Sequence, residues 1–314
     1  MVAAVESMVF AGATPWHGLG TKIEDSTSFW DAFQSAGMDW EALTRPLFNE
    51  LGGAVPAQEV YRSDSGATLG VVGPRWTPLQ NRSAFEVFEP MIESGDLRLN
   101  TAGVLFEGKR IWVLGQLNLD NAEVVPGDEI AKFVLLSNGH DGKLAVHFGF
   151  TPIRVVCANT EAMARNCEAS KLIRVRHHRF VKQNVEKLRD VMNLANQEFE
   201  ATAEQYRFLA SRAINKTDLS TYVKMVLGVE KKKEEDLSTR MANIIGSIEN
   251  LCYTGKGNSL PGVEGTYWAA YNGVTEYLNY TKGNNEQNRM DSLWFGQNKA
   301  MSENALELAL QLAS

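Results

Sequence analysis

The sequence predicts an α+β protein, an N-terminal antiparallel β-sheet with short helices followed by a mainly helical C-terminal half. Three observations carry this. Residues 98–119 and 129–159 are β-rich runs, each broken near its middle by a Gly-containing turn, as hairpins are. Residues 181–214 place apolar side chains at every third or fourth position with no Pro or Gly, the pattern of an amphipathic helix. The charge balance divides the chain in the same way: residues 1–170 hold 12 basic and 21 acidic side chains, and residues 171–314 hold 19 and 17.

In chain order, residues 27–37 set Phe29, Trp30 and Phe33 on one side of a short helix, and residues 66–73 form a short β-rich run. Residues 81–95 space Phe85, Phe88, Met91 and Ile92 for a second helix, with Asn81 or Ser83 as its cap. The hairpin turns fall at residues 106–111 and 137–142. An apolar strand is expected at 153–157, after which Asn159 and Thr160 read as the cap of a helix through 161–164. The long helix is followed by amphipathic segments at 217–227 and 237–252, a Gly-rich stretch at 254–262 that reads as a mobile linker, and a last helix at about 298–312. The expected organisation is an arm (1–20), a sheet-rich core (21–180) and a helical half packing on that core (181–314).

Composition bounds the function. The 314 residues are 44% hydrophobic with a net charge of −7, so the chain as a whole is not a bulk polyanion binder. Cys157, Cys167 and Cys252 form no CxxC pair, which argues for a reducing cytosol and against structural zinc. The N-terminus has no basic region ahead of an apolar run, and no stretch reaches the roughly 18 apolar residues of a membrane span, so a cytoplasmic protein without a membrane partner is expected.

The sharpest local signal is residues 171–189, with seven basic side chains and one acid. Its extended stem would show Arg174 and Arg176 on one face and pass Arg179 and Lys182 to the long helix. Lys171, Arg174, Arg176, Arg179 and Lys182 suit a phosphate backbone; a solvated strip pairing with acidic patches is the other reading. His140, Asp141 and His147 invite a metal, but no third ligand stands at a recognisable spacing, and a turn Asp with two partnered histidines accounts for them. Tyr267, Trp268, Tyr271, Tyr277 and Tyr280, with Trp294 and Phe295, read as core or subunit interface before base-stacking platform. No cofactor is expected.

Several motifs carry a resemblance. Thr14-Pro15-Trp16-His17-Gly18-Leu19-Gly20, residues 73–81 (GPRWTPLQN), residues 154–160 (RVVCANT), residues 268–277 (WAAYNGVTEY) and Trp294-Phe295-Gly296 resemble, in order over residues 8–312, the phage/plasmid-like family known as domain of unknown function 932. The resemblance implies a mobile-element origin near replication, recombination and antirestriction functions, and no established activity. Within it, Pro15, Trp16, His17 and Gly18 read as a hook that docks an arm on the body or on a neighbouring subunit. A sheet, a basic strip and an aromatic segment are also the kit of ring-forming single-strand annealing proteins. The expectation is a homo-oligomeric, non-enzymatic protein that binds or anneals single-stranded DNA. Two alternatives stay open: a nucleic-acid-processing enzyme using His140, Asp141, His147 or His17, and a structural or host-inhibitory binding protein.

Overall fold

The computed structural model describes residues 5–11, 20–24, 27–86, 88–156, 159–160, 173–177 and 192–314. In chain order they form β1 (Val5–Phe10), β2 (Thr21–Lys22), α1 (Phe29–Ser35), β3 (Ala42–Phe48), β4 (Ala54–Arg62), β5 (Thr68–Val72), α2 (Asn81–Phe85), α3 (Glu89–Glu93), β6 (Leu97–Leu105), β7 (Arg110–Leu117), β8 (Ala122–Val125), β9 (Asp128–Gly139), β10 (Val146–Arg154), β11 (Asn159–Thr160) and β12 (Ile173–Val175). Helices α4 (Met192–Ala210), α5 (Lys216–Val226), α6 (Thr239–Thr254), α7 (Tyr267–Glu276), α8 (Glu286–Phe295) and α9 (Gln297–Ala313) follow. The fold is α+β, with sheets and short helices first and helices in the C-terminal half. The chain divides into two compact units that interleave in sequence: residues 1–119, 133–150 and 171–195 in one, and residues 120–132, 151–170 and 196–314 in the other.

In the first unit the 98–119 hairpin forms as expected, β6 against β7 from Leu97↔Leu117 to Leu105↔Arg110. Residues 133–139 of β9 continue the antiparallel sheet along β7. On the other side β6 pairs with β1, so Val5–Phe10, expected within a detached arm, is a strand of this sheet. One face carries Val104, Val113, Val134, Leu136 and Phe148 into a core shared with Phe33, Phe85 and Phe88. Removing these side chains from water drives the layer together, at about 25 cal/mol per Å² of apolar surface. A second sheet, β3-β4-β5, contributes Ala42, Val60, Leu69 and Val72 to the same core.

Two details differ from the sequence reading. The helix expected over 81–95 is two short ones, because Pro90 has no N–H to continue a hydrogen-bonded turn and instead sits in the first turn of α3. Neither Asn81 nor Ser83 caps it; Gln80 is the N-cap residue, and the Asn81 amide is buried and bonded elsewhere. The cap of α1 is conventional, Ser28 Oγ accepting from the Asp31 N–H at 3.1 Å.

Gly103 in β6 leaves room where two elements meet: a Cβ there would lie against the Trp112 ring and 2.7 Å from the Ser7 carbonyl of β1. Gly103→Ala is therefore expected to destabilise by about 1–3 kcal/mol in a urea titration, since neither the buried indole nor the strand can give way cheaply.

In the second unit the helical stripe read from sequence is realised, with Phe199, Ala203, Tyr206 and Leu209 of α4 all buried. Residues 181–191 of the expected long helix lie outside the described residues, and α4 ends at Ala210, short of 214. The chain then pairs Ala213 with Thr266 in a lone bridge, and Asn215 caps α5 through the Thr217 and Asp218 N–H groups. No helix among the described residues is long and apolar enough to cross a membrane.

Candidate nucleic-acid interface

The basic stem is extended, as its alternation predicts. Ile173–Val175 forms β12, antiparallel to β10, with Arg174 opposite His147 in register. Among the described residues β12 pairs with β10 alone, which leaves its outer side without a strand. Arg176 follows immediately and is exposed. Lys171, Arg179 and Lys182 lie outside the described residues, as do Pro15, Trp16, His17 and Gly18 of the proposed hook.

His177 then turns inward and fastens the stem. Its ring stacks on Trp76 with centroids 4.8 Å apart, and its Nδ1 is 3.2 Å from the Thr77 carbonyl oxygen. The segment GPRWTPLQN thus supplies an aromatic platform and a carbonyl directly beside an exposed arginine, and its last residue, Asn81, reaches the histidine hairpin. The Asn81 amide donates to the Met38 and Trp40 carbonyls, so its oxygen is the acceptor for the His140 Nε2–H at 2.8 Å. His140 is fully buried, edge-on to Trp40, and burial holds its pKa down at about 3, with the nearby His177 and the Arg62 guanidinium lowering it further. Arg62 itself lies over the Trp40 ring and pairs with Asp64 at 2.7 Å, which holds the Asp64 carboxyl below its usual range.

Asp141 does the work of a turn residue, its Oδ1 accepting from the Lys143 N–H at 2.9 Å. His147 is buried, opposite Arg174 in register. His140, His177 and Asp141 are thus occupied in holding the hairpin and the platform together. Among the described residues, no three His, Cys, Asp or Glu side chains come together in a way that would hold a metal.

Residues 68–294, more than half of the chain, match the family model described as Domain of unknown function (DUF932). The chain belongs to DUF932. No curated protein and no solved structure matches it. The matched region of this DUF932 chain includes the stem, its Trp76 platform and the polar centre of the second unit.

That centre is the feature the sequence reading missed. Arg154, at the end of β10, forms a bidentate pair with Asp128, Nε to Oδ1 and Nη2 to Oδ2 both at 2.7 Å, and both side chains are fully buried. The other guanidinium hydrogens go to the Lys256 and Gly257 carbonyls and to Asn258 Oδ1, so all five donors are used. Trp268 completes the set by donating its indole N–H to Asp128 Oδ2 at 2.8 Å. The stretch 254–262 is therefore not a mobile linker but a cradle around Arg154, pinned again where the Asn258 amide donates to the Leu251 and Ala269 carbonyls. The strand expected to reach 157 ends at Arg154, and Asn159–Thr160 pairs back on Ile153 and Arg154; the helix expected through 161–164 lies outside the described residues.

The aromatic segment is core. Trp268 and Tyr271 are fully buried, and the Tyr206 ring lies 4.6 and 6.1 Å from theirs. Tyr267, Tyr277 and Trp294 are buried as well, so these rings give no support to an exposed subunit interface or a base-stacking platform. Cys252 is buried, and desolvation pushes its thiol up to about 12, which leaves no thiolate for nucleophilic chemistry near neutral pH; Cys157 and Cys167 lie outside the described residues.

Proposed function

We propose that this DUF932 protein binds single-stranded DNA without strong sequence preference, as a non-enzymatic component of phage or plasmid recombination or replication. The observation that carries the reading is the placement of Arg176, exposed directly after a strand that is at the sheet edge among the described residues, and anchored one residue later by His177 on Trp76. It stands within a segment of seven basic residues and one acid in a chain of net charge −7. Lys171, Arg174, Arg176, Arg179 and Lys182 neutralise successive phosphates, and the released counterions supply the affinity. Contact confined to the backbone leaves bases available for pairing, as annealing requires.

The triple variant R174A/R176A/R179A tests this directly. Loss of three phosphate contacts should flatten the dependence of log K on log salt by about 2, at the roughly 0.7 per contact of single strands, with an unchanged far-ultraviolet circular dichroism spectrum. Equal affinity of the variant and the parent for an oligothymidylate in an anisotropy titration would remove the segment from the site.

A further inference from the structure

Three segments of the first unit meet at the end of the basic stem. The turn between β9 and β10 lies on β5: a Cβ at Gly70 would stand 2.7 Å from the Asp141 carbonyl oxygen, and one at Gly142 2.6 Å from Val72 Cγ1. β5 runs directly into the Gly73–Trp76 turn, and Trp76 is the ring on which His177 stacks. The pairing of Val146 with Val175 brings Arg176 to the end of the β10–β12 ladder at which that same β9–β10 turn stands.

Each segment presents one cation to solvent. Arg75, Lys143 and Arg176 are exposed, and among the described residues none of the three side chains has a hydrogen-bond or ion-pair partner. Residues 68–76, 139–145 and 173–177 contain one acid, Asp141, and it is committed elsewhere. Its Oδ1 accepts from the Lys143 N–H at 2.9 Å and its Oδ2 stands 3.9 Å from the Arg110 guanidinium. The backbones that carry the cations are fixed. The Trp76 N–H donates to the Gly73 carbonyl at 3.0 Å around Pro74, and the Gln58 amide donates to the Trp76 and Gly73 carbonyls at 2.8 and 3.3 Å. Like charges held together without counter-charges repel one another, and a polyanion laid across them removes that repulsion.

We propose that Arg75 and Lys143 carry the phosphate path beyond the stem, so that a single strand leaving Arg176 crosses the Gly73–Trp76 and β9–β10 turns. This rests on the single-strand reading above and extends it to two residues outside the basic segment. Three cations on three separate segments, one of them belonging to a basic strip, suit successive phosphates of a strand better than one compact anion. At roughly 0.7 per contact, the two residues add about 1.4 to the salt slope that the stem supplies.

The double variant R75A/K143A tests the extension. Both positions are exposed and both turns are held by backbone groups and by Gln58, so the thermal melt should be unchanged. In anisotropy titrations with oligothymidylates of increasing length, R75A/K143A should bind about 25-fold more weakly than the parent at about 0.1 M salt, with the slope flattened by about 1.4. It should also reach its full affinity on a strand about two nucleotides shorter than the parent requires, one for each phosphate contact removed. K231A/K232A makes the same charge change at two exposed lysines of the second unit and should bind as the parent does. A parent that binds, beside an R75A/K143A protein of equal slope and equal length requirement, would overturn the extension and leave the stem in place. An equal loss in K231A/K232A would overturn it as well, because the effect would then belong to net charge. A parent that binds no single strand would overturn the underlying reading and the extension with it.

Discussion

Asp128→Ala should be among the most damaging single substitutions in the chain, lowering stability by about 3–5 kcal/mol. The reason is not the strength of the ion pair but what its loss leaves behind. Arg154 is fully buried and cannot shed its proton, so removing the carboxylate strands a permanent charge beside the Trp268 ring. The indole N–H of Trp268 loses its acceptor in the same step. In a chain of this size the loss corresponds to a fall in Tm of roughly 6–20 °C. D128L/R154M, which removes both charges and fills the space, should recover much of it; a double variant no better than Asp128→Ala would show that the pair is needed for more than mutual compensation.

Acid should destabilise the first unit through His140. Its folded pKa is depressed, from 6.5 to about 3, so between those values the unfolded chain binds a proton that the folded chain refuses. Stability is complete above the unfolded value and is lost as pH falls through the window, at about 1.4 kcal/mol per pH unit. From pH 6 to pH 4 this amounts to about 3 kcal/mol. His140→Gln can still donate to Asn81 but has no proton to gain, so its urea midpoint should fall less steeply with pH than the parent's. Groups remote from His140 are common to both proteins and cancel in the comparison. Identical slopes would mean that the imidazole is already protonated, or solvated, in the folded state.

The parts of the fold legible in the sequence are those written in local periodicity. The β6–β7 hairpin, α1 with its aromatic face and the stripe of α4 are each specified by residues within one turn or one strand of each other, and each forms as expected. What escaped is long-range. Nothing local distinguishes Arg154 from any basic residue closing an apolar run, because Asp128, Asn258 and Trp268, which surround it, lie 26 to 114 residues away from it in sequence. Asn81 has the right residue type and position for a helix cap, and the tertiary demand of buried His140 overrides that preference. The 254–262 stretch has linker composition, yet its carbonyls are what a buried guanidinium needs, and Gly257 lets the backbone come within reach. The extended form of Ile173–Val175 was legible from alternation; that His177 would fasten it to Trp76, 101 residues earlier, was not.

The proposed function rests on contact between the basic stem and the phosphates of single-stranded DNA. The measurement that bears on it most directly is the salt dependence of binding by the intact protein, followed by fluorescence anisotropy on oligothymidylate and on a mixed-sequence strand of equal length. Log K should fall linearly with log salt on both strands, with a common slope of about −3 from the stem's four to five phosphate contacts and similar affinities at each salt concentration. Absence of binding at low salt, or an affinity that does not respond to salt, would contradict it.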